Sequence, residues 1–233
     1  MFHRDGPSFW ELARQALSST ERGYDLLAPK FDRTPFRTPD EVIAGALAFV
    51  PERVSAAIDL CCGTGAAARL LRTQADRVVG VDVSQGMLDE AARRGGEVEW
   101  VRADALDLPY RDEFELATCF GAFGHILPRD EPRLVRSVAR ALAPRGRFVF
   151  ATAEHPPLLS PQHLVARAFN AAMHVRNLVW RPPFVMYYLT FLLPDCAELL
   201  EQSGFTVTVH HAAFPPPWHP LRVVVATRGA RAP

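Results

Sequence analysis

Short apolar runs alternate along this chain with stretches in which apolar residues recur at helical spacing. Five of these runs have about the length of a β-strand, and most of them end close to a glycine or an acidic residue. Strands that alternate with helices in this way predict βαβ units and a parallel sheet. The runs lie at 56–60, 77–81, 98–101, 114–120 and 147–150.

The first run breaks into a glycine turn. Ile58, Asp59 and Leu60 lead through two cysteines to Gly63 and Gly65, and three alanines follow as good helix formers. Such a strand, tight loop and helix start lets a ligand lie on bare backbone, beside the unpaired N–H groups and the positive dipole end of the helix. A structural glycine turn that binds nothing is the alternative for this loop taken alone.

A second apolar run ends in the carboxylate of Asp82, 19 residues beyond Gly63. At the tip of a strand in a βαβ unit, such a carboxylate can accept hydrogen bonds from both hydroxyls of a ribose. A solvated strand end or a helix cap is the alternative for Asp82 alone. The glycine loop and the acid lie within the length of one βαβ unit, and together they favour a nucleotide-binding unit.

The glycines do not by themselves separate a dehydrogenase from a transferase. Residues 63–68 also satisfy the dinucleotide pattern G-x-G-x-x-G/A, so this motif leaves a nicotinamide-dependent oxidoreductase open. Two further acids add information: Asp59 precedes the loop, and Asp104 follows a third short strand and is itself followed by Ala105. With these residues the chain resembles the class I S-adenosylmethionine-dependent methyltransferases, with their glycine loop, ribose-binding acid and adenine-binding Asp-Ala pair.

The resemblance covers roughly residues 50 to 154 and 194 to 228. Residues 141–150 resemble the family's helix end, turn and fifth strand, and the β-rich runs 206–211 and 221–227 resemble its closing hairpin. The resemblance implies an α/β fold with a doubly wound, mostly parallel seven-stranded sheet and an antiparallel C-terminal hairpin. A plain dinucleotide-binding fold does not predict that hairpin.

The resemblance also implies the cofactor, S-adenosylmethionine, with S-adenosylhomocysteine as the product. One position departs from the pattern, because the family usually carries a glycine where this chain has Cys61. A small side chain is acceptable there if its φ is negative. The residues that the resemblance implies for the cofactor are Tyr24, Asp59, Cys61, Gly63, Gly65, Asp82, Val83, Met87, Asp104, Ala105, Phe120 and His125.

Two segments interrupt the family pattern, and we expect both to be additions to a single domain that spans residues 1–233. Residues 1–50 predict an N-terminal helical lid, and Thr20 is a candidate cap for its second helix. Residues 154–193 predict a substrate-side insert with one helix, ended by a Pro-Pro pair. The predicted helices of these two segments span 8–17, 20–31, 39–49 and 164–179.

The insert is rich in proline, arginine and large apolar residues. Substrate specificity in open α/β sheets lies at the carboxyl ends of the strands, where this insert must emerge. Together with the lid, its aromatic stretch 184–193 predicts an enclosed site for a small apolar or aromatic acceptor, methylated on oxygen, nitrogen or carbon. A helix that covers an ordinary core is the alternative, and a membrane-facing surface for a lipid or quinone is a weaker version of the same hypothesis.

Methyl transfer from a sulfonium is an in-line displacement, so the site must align the acceptor, exclude water and accept the proton of the acceptor. No metal is required for this. A general base belongs at the tip of the fourth or fifth strand, and His155, directly after the fifth, is the candidate catalytic residue. A structural or substrate-orienting role is the alternative for His155. His125 follows the fourth strand, where the resemblance implies a position beside the cofactor.

The composition of the chain argues against several classes of protein but does not itself indicate a function. The 233 residues carry 26 basic and 26 acidic side chains, so the net charge gives no reason to expect a nucleic-acid partner. The four cysteines lack zinc-ligand spacing, and we expect small buried residues and no metal. No stretch reads as a signal peptide or a membrane span, which favours a cytoplasmic methyltransferase. A cofactor-binding protein that has lost catalysis is a further alternative.

Overall fold

One seven-stranded sheet organises residues 6–50 and 53–230, which are the residues that the computed structural model describes. In chain order the strands are Val54–Leu60 (β1), Ala75–Asp82 (β2), Glu99–Arg102 (β3), Phe114–Cys119 (β4), Leu142–Ala153 (β5), Phe205–His210 (β6) and Leu221–Arg228 (β7). Across the sheet they are ordered β3-β2-β1-β4-β5-β7-β6. Strands β1 to β5 run parallel, while β7 pairs antiparallel with both β5 and β6. The predicted fold class is therefore confirmed.

The closing hairpin differs slightly from the prediction. Strand β6 ends at His210, so His211 lies outside the strand. Strand β5 continues to Ala153, well past the predicted end, because its last residues pair with the start of β7 and Ala153 lies opposite Leu221. This extension carries the chain directly from the centre of the sheet into the insert.

Eight α-helices accompany the sheet within the described residues. They are Phe9–Ala16 (α1), Thr20–Leu27 (α2), Asp40–Leu47 (α3), Ala66–Leu71 (α4), Gln85–Arg93 (α5), Glu131–Ala141 (α6), Pro161–Val179 (α7) and Asp195–Gln202 (α8). None of the helices described has the length and apolar character needed to cross a bilayer.

The lid helices begin and end at other residues than the sequence predicts. The N-cap of α2 is Ser19, whose hydroxyl accepts the backbone N–H of Arg22, so the prediction that Thr20 is the cap is wrong. Helix α2 stops at Leu27, and the chain continues as a 3-10 helix over Ala28–Arg33. Pro29 lies in this turn and has no N–H to extend the α-helical ladder.

The apolar core covers both faces of the sheet. Successive side chains of β5 point to opposite faces, so Phe148 and Phe150 pack in one buried cluster with α6 and α8, whereas Val149 packs in the other with α3 and α4. All three are completely buried. Helices on both faces of the strands leave the carboxyl edge of the sheet as the place where a ligand can approach.

The order of the strands reverses between β1 and β4. From this point the chain leaves the sheet toward opposite sides, and a crevice forms beyond the carboxyl ends of the two strands. The glycine loop follows β1 directly, and Asp82 ends the neighbouring β2. The topology thus brings the two strongest sequence signals to one crevice.

Position 65 requires a glycine because its φ is positive and because a side chain there would collide with a neighbouring ring. Substitution of Gly65 therefore tests the fold. Its φ is 81°, and a Cβ there would lie 2.3 Å from the ring of Trp100. Gly95 has a φ of 75°, but a Cβ there would meet no atom within 4 Å. Gly95→Ala should therefore cost only the left-handed strain of about 1–2 kcal/mol, and Gly65→Ala clearly more in urea unfolding. Equal losses would contradict the close packing of Trp100 under the loop.

Candidate cofactor and acceptor cavity

A cavity of about 860 Å³ opens at the carboxyl ends of β1, β2, β4 and β5. Pockets for small ligands usually hold about 300–1,000 Å³, so this one suits a large ligand or two adjoining ones. Gly65 and His155 are the two predicted site residues that do not line it. The predicted residues that line it are Tyr24, Asp59, Cys61, Gly63, Asp82, Val83, Met87, Asp104, Ala105, Phe120 and His125.

The glycine loop bends through left-handed backbone at three of its five residues. Cys61, Gly63 and Gly65 have φ values of 52°, 53° and 81°. The condition of a negative φ, under which a side chain is easily accepted at this position, is therefore not met at Cys61. A left-handed residue with a side chain costs about 1–2 kcal/mol, which explains physically why a glycine suits this position.

Asp82 ties the glycine loop to the end of β2. One carboxylate oxygen accepts the N–H of Gly63 at 2.9 Å and the other accepts the N–H of Ser84 at 2.9 Å. Burial raises the pKa of Asp82, and these backbone bonds oppose that rise. Each carboxylate oxygen can accept more than one hydrogen bond, so both retain capacity for a pair of hydroxyls inside the cavity.

Asp59 is the most deeply buried acid of the cavity. Its side chain is 2% exposed and accepts a hydrogen bond from the Thr118 hydroxyl at 2.8 Å. Burial raises its pKa to about 7. A carboxyl group in this state is suited to a cationic ligand, since a nearby positive charge would stabilise its ionised form.

The lid is joined to the loops below it by two aspartates that the sequence analysis did not assign to the site. Asp25 accepts the Ser84 hydroxyl at 2.6 Å and the N–H of Gly86 at 2.9 Å, at the start of α5. Asp32 accepts the hydroxyl of Thr64 in the glycine loop at 2.5 Å. Each of the two aspartates directly follows an aromatic residue in the sequence. Their hydrogen-bond partners lie far away along the chain, so the residues around the aspartates do not indicate these bonds.

Tyr24 and His125 close the cavity from the side of the lid. The Tyr24 hydroxyl lies 2.6 Å from Nε2 of His125, and Nδ1 of His125 lies 2.6 Å from the carbonyl oxygen of Val185. That carbonyl can only accept, so Nδ1 carries the proton and Nε2 accepts from the tyrosine. Burial lowers the pKa of His125, which agrees with a neutral ring. One hydrogen-bonded chain therefore connects the lid, the loop after β4 and the insert.

The far end of the cavity is apolar and aromatic. The insert contributes Met186, Tyr187 and Leu192, and the lid contributes Phe36. The backbone N–H of Tyr187 donates to the carbonyl of Gly124 at 2.7 Å, which fixes the insert against the loop after β4. The cavity thus has a polar end at the glycine loop and a hydrophobic end under the insert.

His155 does not take part in this arrangement. Its imidazole is 39% exposed, and Nε2 lies 3.1 Å from a carboxylate oxygen of Asp195 at the start of α8. The backbone N–H of His155 donates to Leu193, so the residue belongs to the outer connection between β5 and α8. The structure thus places His155 beside Asp195 and outside the lining of the cavity, and its role as a base stays a prediction.

The four cysteines carry free thiols, and Cys62, Cys119 and Cys196 are buried. Burial raises the pKa of Cys62, and of Cys196 to about 12. Such thiols are poor nucleophiles at neutral pH. Within the described residues, no group of three or more His, Cys, Asp and Glu side chains could hold a metal ion.

Comparison with known proteins supplies the family. A family model described as a methyltransferase domain matches residues 57–146. The demethylmenaquinone methyltransferase of Thermotoga maritima is 32% identical over 70% of this chain and 74% of its own length. This chain belongs to the class I S-adenosylmethionine-dependent methyltransferases.

Two further relatives of this methyltransferase also have names that include a quinone. A 2-phytyl-1,4-naphtoquinone methyltransferase of Thermosynechococcus vestitus is 28% identical over 66% of this chain and 74% of its own length. A ubiquinone/menaquinone biosynthesis C-methyltransferase of Desulfotalea psychrophila is 31% identical over 66% of this chain and 59% of its own length.

Solved structures agree on the fold. The DhpI complex with SAH aligns with a TM-score of 0.68 at 21% identity, over 96% of this chain and all of the other. An S-adenosylmethionine-dependent methyltransferase of Mesorhizobium loti aligns with a TM-score of 0.61 at 26% identity, over 83% of this chain and all of the other. The rival expectation of a nicotinamide-dependent oxidoreductase finds no support among these relatives.

The tyrosine and histidine pair of this methyltransferase can be tested by removing one hydroxyl. Tyr24→Phe leaves Nε2 of His125 without its donor, and a buried acceptor left unpaired costs about 1–3 kcal/mol. We expect that loss in urea unfolding, with faster amide exchange over residues 184–187. Tyr110→Phe is the matched control, because the Tyr110 hydroxyl has no hydrogen-bond partner among the described residues. Equal stability of the two variants would contradict the connection between lid and insert.

Proposed function

We propose that this chain transfers a methyl group from S-adenosylmethionine to a ring carbon of a small, largely apolar aromatic acceptor of the quinol type. In this proposal residues 1–50 are a lid and residues 154–193 an acceptor-side insert of one domain. The observation that carries it is a single cavity of about 860 Å³ that joins the glycine loop to a wall of aromatic and aliphatic side chains.

The residues at the polar end suit S-adenosylmethionine. Asp82 has oxygens free to accept two ribose hydroxyls, Asp104 and Ala105 border the space for the adenine, and Asp59 offers a negative charge to the cationic methionine end. Gly63 leaves room for a ligand, since a Cβ there would meet only the Phe31 ring at 3.7 Å. The bound cofactor would supply a methyl group on a positively charged sulfur.

The hydrophobic end suits a flat, apolar acceptor. Met186, Leu192 and Phe36 offer no charged group to such a ring. The hydroxyl of Tyr187 accepts a hydrogen bond from Asn177 at 3.2 Å, so its own proton is available for an oxygen of the acceptor. The names of the relatives include quinones, and one of those relatives is named a C-methyltransferase. These names support a quinol ring as the acceptor and carbon as the methylated atom.

In this proposal the protein acts mainly by alignment and by exclusion of water. The lid, fixed through Asp25 and Asp32, covers the glycine loop, and the Tyr24–His125 pair closes the side of the cavity. The ring carbon forms its bond to the methyl group as the bond between that group and sulfur breaks, S-adenosylhomocysteine leaves, and the hydrogen displaced from the ring carbon is released to the solvent as a proton. Holding both partners in one closed cavity supplies the in-line geometry that this displacement needs. Water is kept from competing for the methyl group.

The direct test is a methyl-transfer assay with chemically reduced, short-chain 1,4-naphthoquinols that lack a ring methyl group. We expect a product heavier by one methyl group, with the new group on the ring carbon, detected by mass spectrometry and NMR. Methylation of a catechol hydroxyl instead would overturn the assignment of carbon. Tight binding of S-adenosylmethionine with no product from any acceptor would favour a silent binding protein.

A matched pair of variants on β2 belongs to the same assay. Asp82→Asn weakens charged hydrogen bonds worth about 1.5–3 kcal/mol, so we expect the KM for S-adenosylmethionine to rise about 10- to 100-fold. Asp76→Asn changes an exposed acid at the other end of the same strand, where it pairs with Arg53. Its KM should not change. Equal KM values in a folded Asp82→Asn protein would remove the ribose role.

The raised pKa of Asp59 leads us to expect that cofactor binding depends on pH. Its pKa is about 7 in the free protein, and a bound cation would lower it, so binding below pH 7 must release a proton. Affinity should rise by up to about tenfold per pH unit as pH increases toward 7 and level off above it. Calorimetry in buffers of different ionisation enthalpy measures that proton.

The control is Asp59→Asn, which retains an oxygen for the Thr118 hydroxyl. We expect this variant to bind S-adenosylmethionine with little pH dependence over the same range. A variant that keeps the full slope would assign the proton to another group, of which Asp82 is the nearest candidate because burial raises its pKa too.

A further inference from the structure

Helix α7 turns several of its polar side chains toward the protein, although Arg167 and His174 are exposed. His163 is its one buried side chain. Asn170 bonds both backbone groups of Tyr188 at 2.8 Å, and Asn177 accepts the N–H of Phe184 at 2.9 Å. A surface helix ordinarily buries an apolar stripe and exposes its polar residues, whereas the inward side of α7 is mixed, with Asn170 and Asn177 beside the half-buried Phe169 and Met173.

The opposite face of α7 is apolar and exposed. Positions 164, 168, 171, 175 and 178 follow the spacing of three and four that aligns side chains along one face, and 165, 172 and 179 lie beside them. The large apolar residues on this face, each 54–78% exposed, are Leu164, Val165, Val175, Leu178 and Val179. Alanines occupy 168, 171 and 172 and are exposed as well.

The apolar face continues beyond both ends of the helix. Leu158 and Leu159, just before it, are 73% and 88% exposed, and Trp180, just after it, is 51% exposed. We call the exposed apolar residues from Leu158 to Trp180 the outer surface of the insert. A continuous apolar surface of this kind marks an interaction site more often than an ordinary protein surface.

The charge of the segment indicates the partner. Residues 155–194 contain three arginines and no aspartate or glutamate, although acids and bases balance over the whole chain. Arg167 and Arg181 are exposed. Two copies of this surface placed face to face would bring arginines together with no acid from the segment to pair with them. An apolar helix flanked by arginine and ended by tryptophan has the composition that binds the interface of an anionic bilayer.

Helix α7 separates the outer surface from the hydrophobic end of the cavity, which the helix reaches through the half-buried Phe169. The ring of Phe169 lies 4.9 Å from that of Tyr188, and Tyr188 lines the cavity. An acceptor with a long apolar tail could keep that tail in the lipid while its ring enters beneath the insert.

We propose that the outer surface of the insert docks in the interface of an anionic phospholipid membrane and that acceptor molecules enter the cavity from the lipid. The second half rests on the proposed function, because it names the source of the same apolar acceptor. The docking itself depends only on the exposed apolar face and its positive flank.

Sedimentation with vesicles tests the docking. We expect the protein to bind vesicles of phosphatidylcholine with phosphatidylglycerol, to bind pure phosphatidylcholine far more weakly, and to lose affinity as salt increases. Changing Leu164, Val175 and Leu178 together to Gln should lower vesicle affinity at least tenfold, as should Arg167→Gln combined with Arg181→Gln. Leu26→Gln is the control for an exposed apolar residue on the lid, and it should bind as the unaltered chain does.

Several results would overturn the docking proposal. No vesicle binding by the unaltered chain would do so, as would equal binding by the triple Gln variant with unchanged thermal stability. Light scattering that shows a dimer, dissociated by the triple variant, would assign the surface to a second copy instead.

Methylation assays with two quinols distinguish a failure of the docking proposal from a failure of the proposed function. The triple Gln variant should methylate a short-chain, water-soluble quinol at the normal rate and a long-chain quinol in vesicles at least tenfold more slowly. If the unaltered chain methylates neither quinol while it still binds vesicles, the proposed acceptor is wrong and the docking stands. An equal loss with both quinols would contradict entry from the lipid.

Discussion

The left-handed turn between β1 and α4 is the constraint on which the rest of the site depends. A chain that leaves a buried parallel strand must reverse within five residues to start the next helix, and it does so with positive φ at Cys61, Gly63 and Gly65. Asp82 fixes that backbone from the neighbouring strand by accepting the N–H of Gly63. The lid fixes it again from above, through Asp32 and Thr64.

The cavity depends on contacts between segments that are far apart in sequence. The lid, the loop after β4 and the insert meet in one chain of hydrogen bonds from Tyr24 through His125 to Val185. The lid brings three α-helices to this arrangement, the loop after β4 brings short 3-10 turns, and the insert brings the 19-residue α7. Their mutual contacts therefore define the closed volume, and a change in any one of them should alter access to the methyl-transfer site.

The sequence predicted those features that have a local signal. Strand periodicity, the glycines and the acids at strand ends predicted the parallel strands and the glycine loop. The resemblance to the family implied the closing hairpin and 11 of the residues that line the cavity. His155 was placed next to the site because it follows β5, but the direction of a side chain after a strand is set by tertiary packing, here by α8. The hydrogen bonds of Asp25 and Asp32 could not be predicted from the sequence either, because their partners lie 32 to 61 residues away along the chain. The apolar outer face of α7 was present in the sequence, but its spacing does not say which face meets the protein.

The central claim is that the crevice at the glycine loop binds S-adenosylmethionine. The most direct measurement is calorimetric titration of the unaltered protein with S-adenosylmethionine, S-adenosylhomocysteine and NAD in parallel. The account predicts that the first two bind at a single common site and that NAD does not bind. Binding of NAD without either of the others would contradict it.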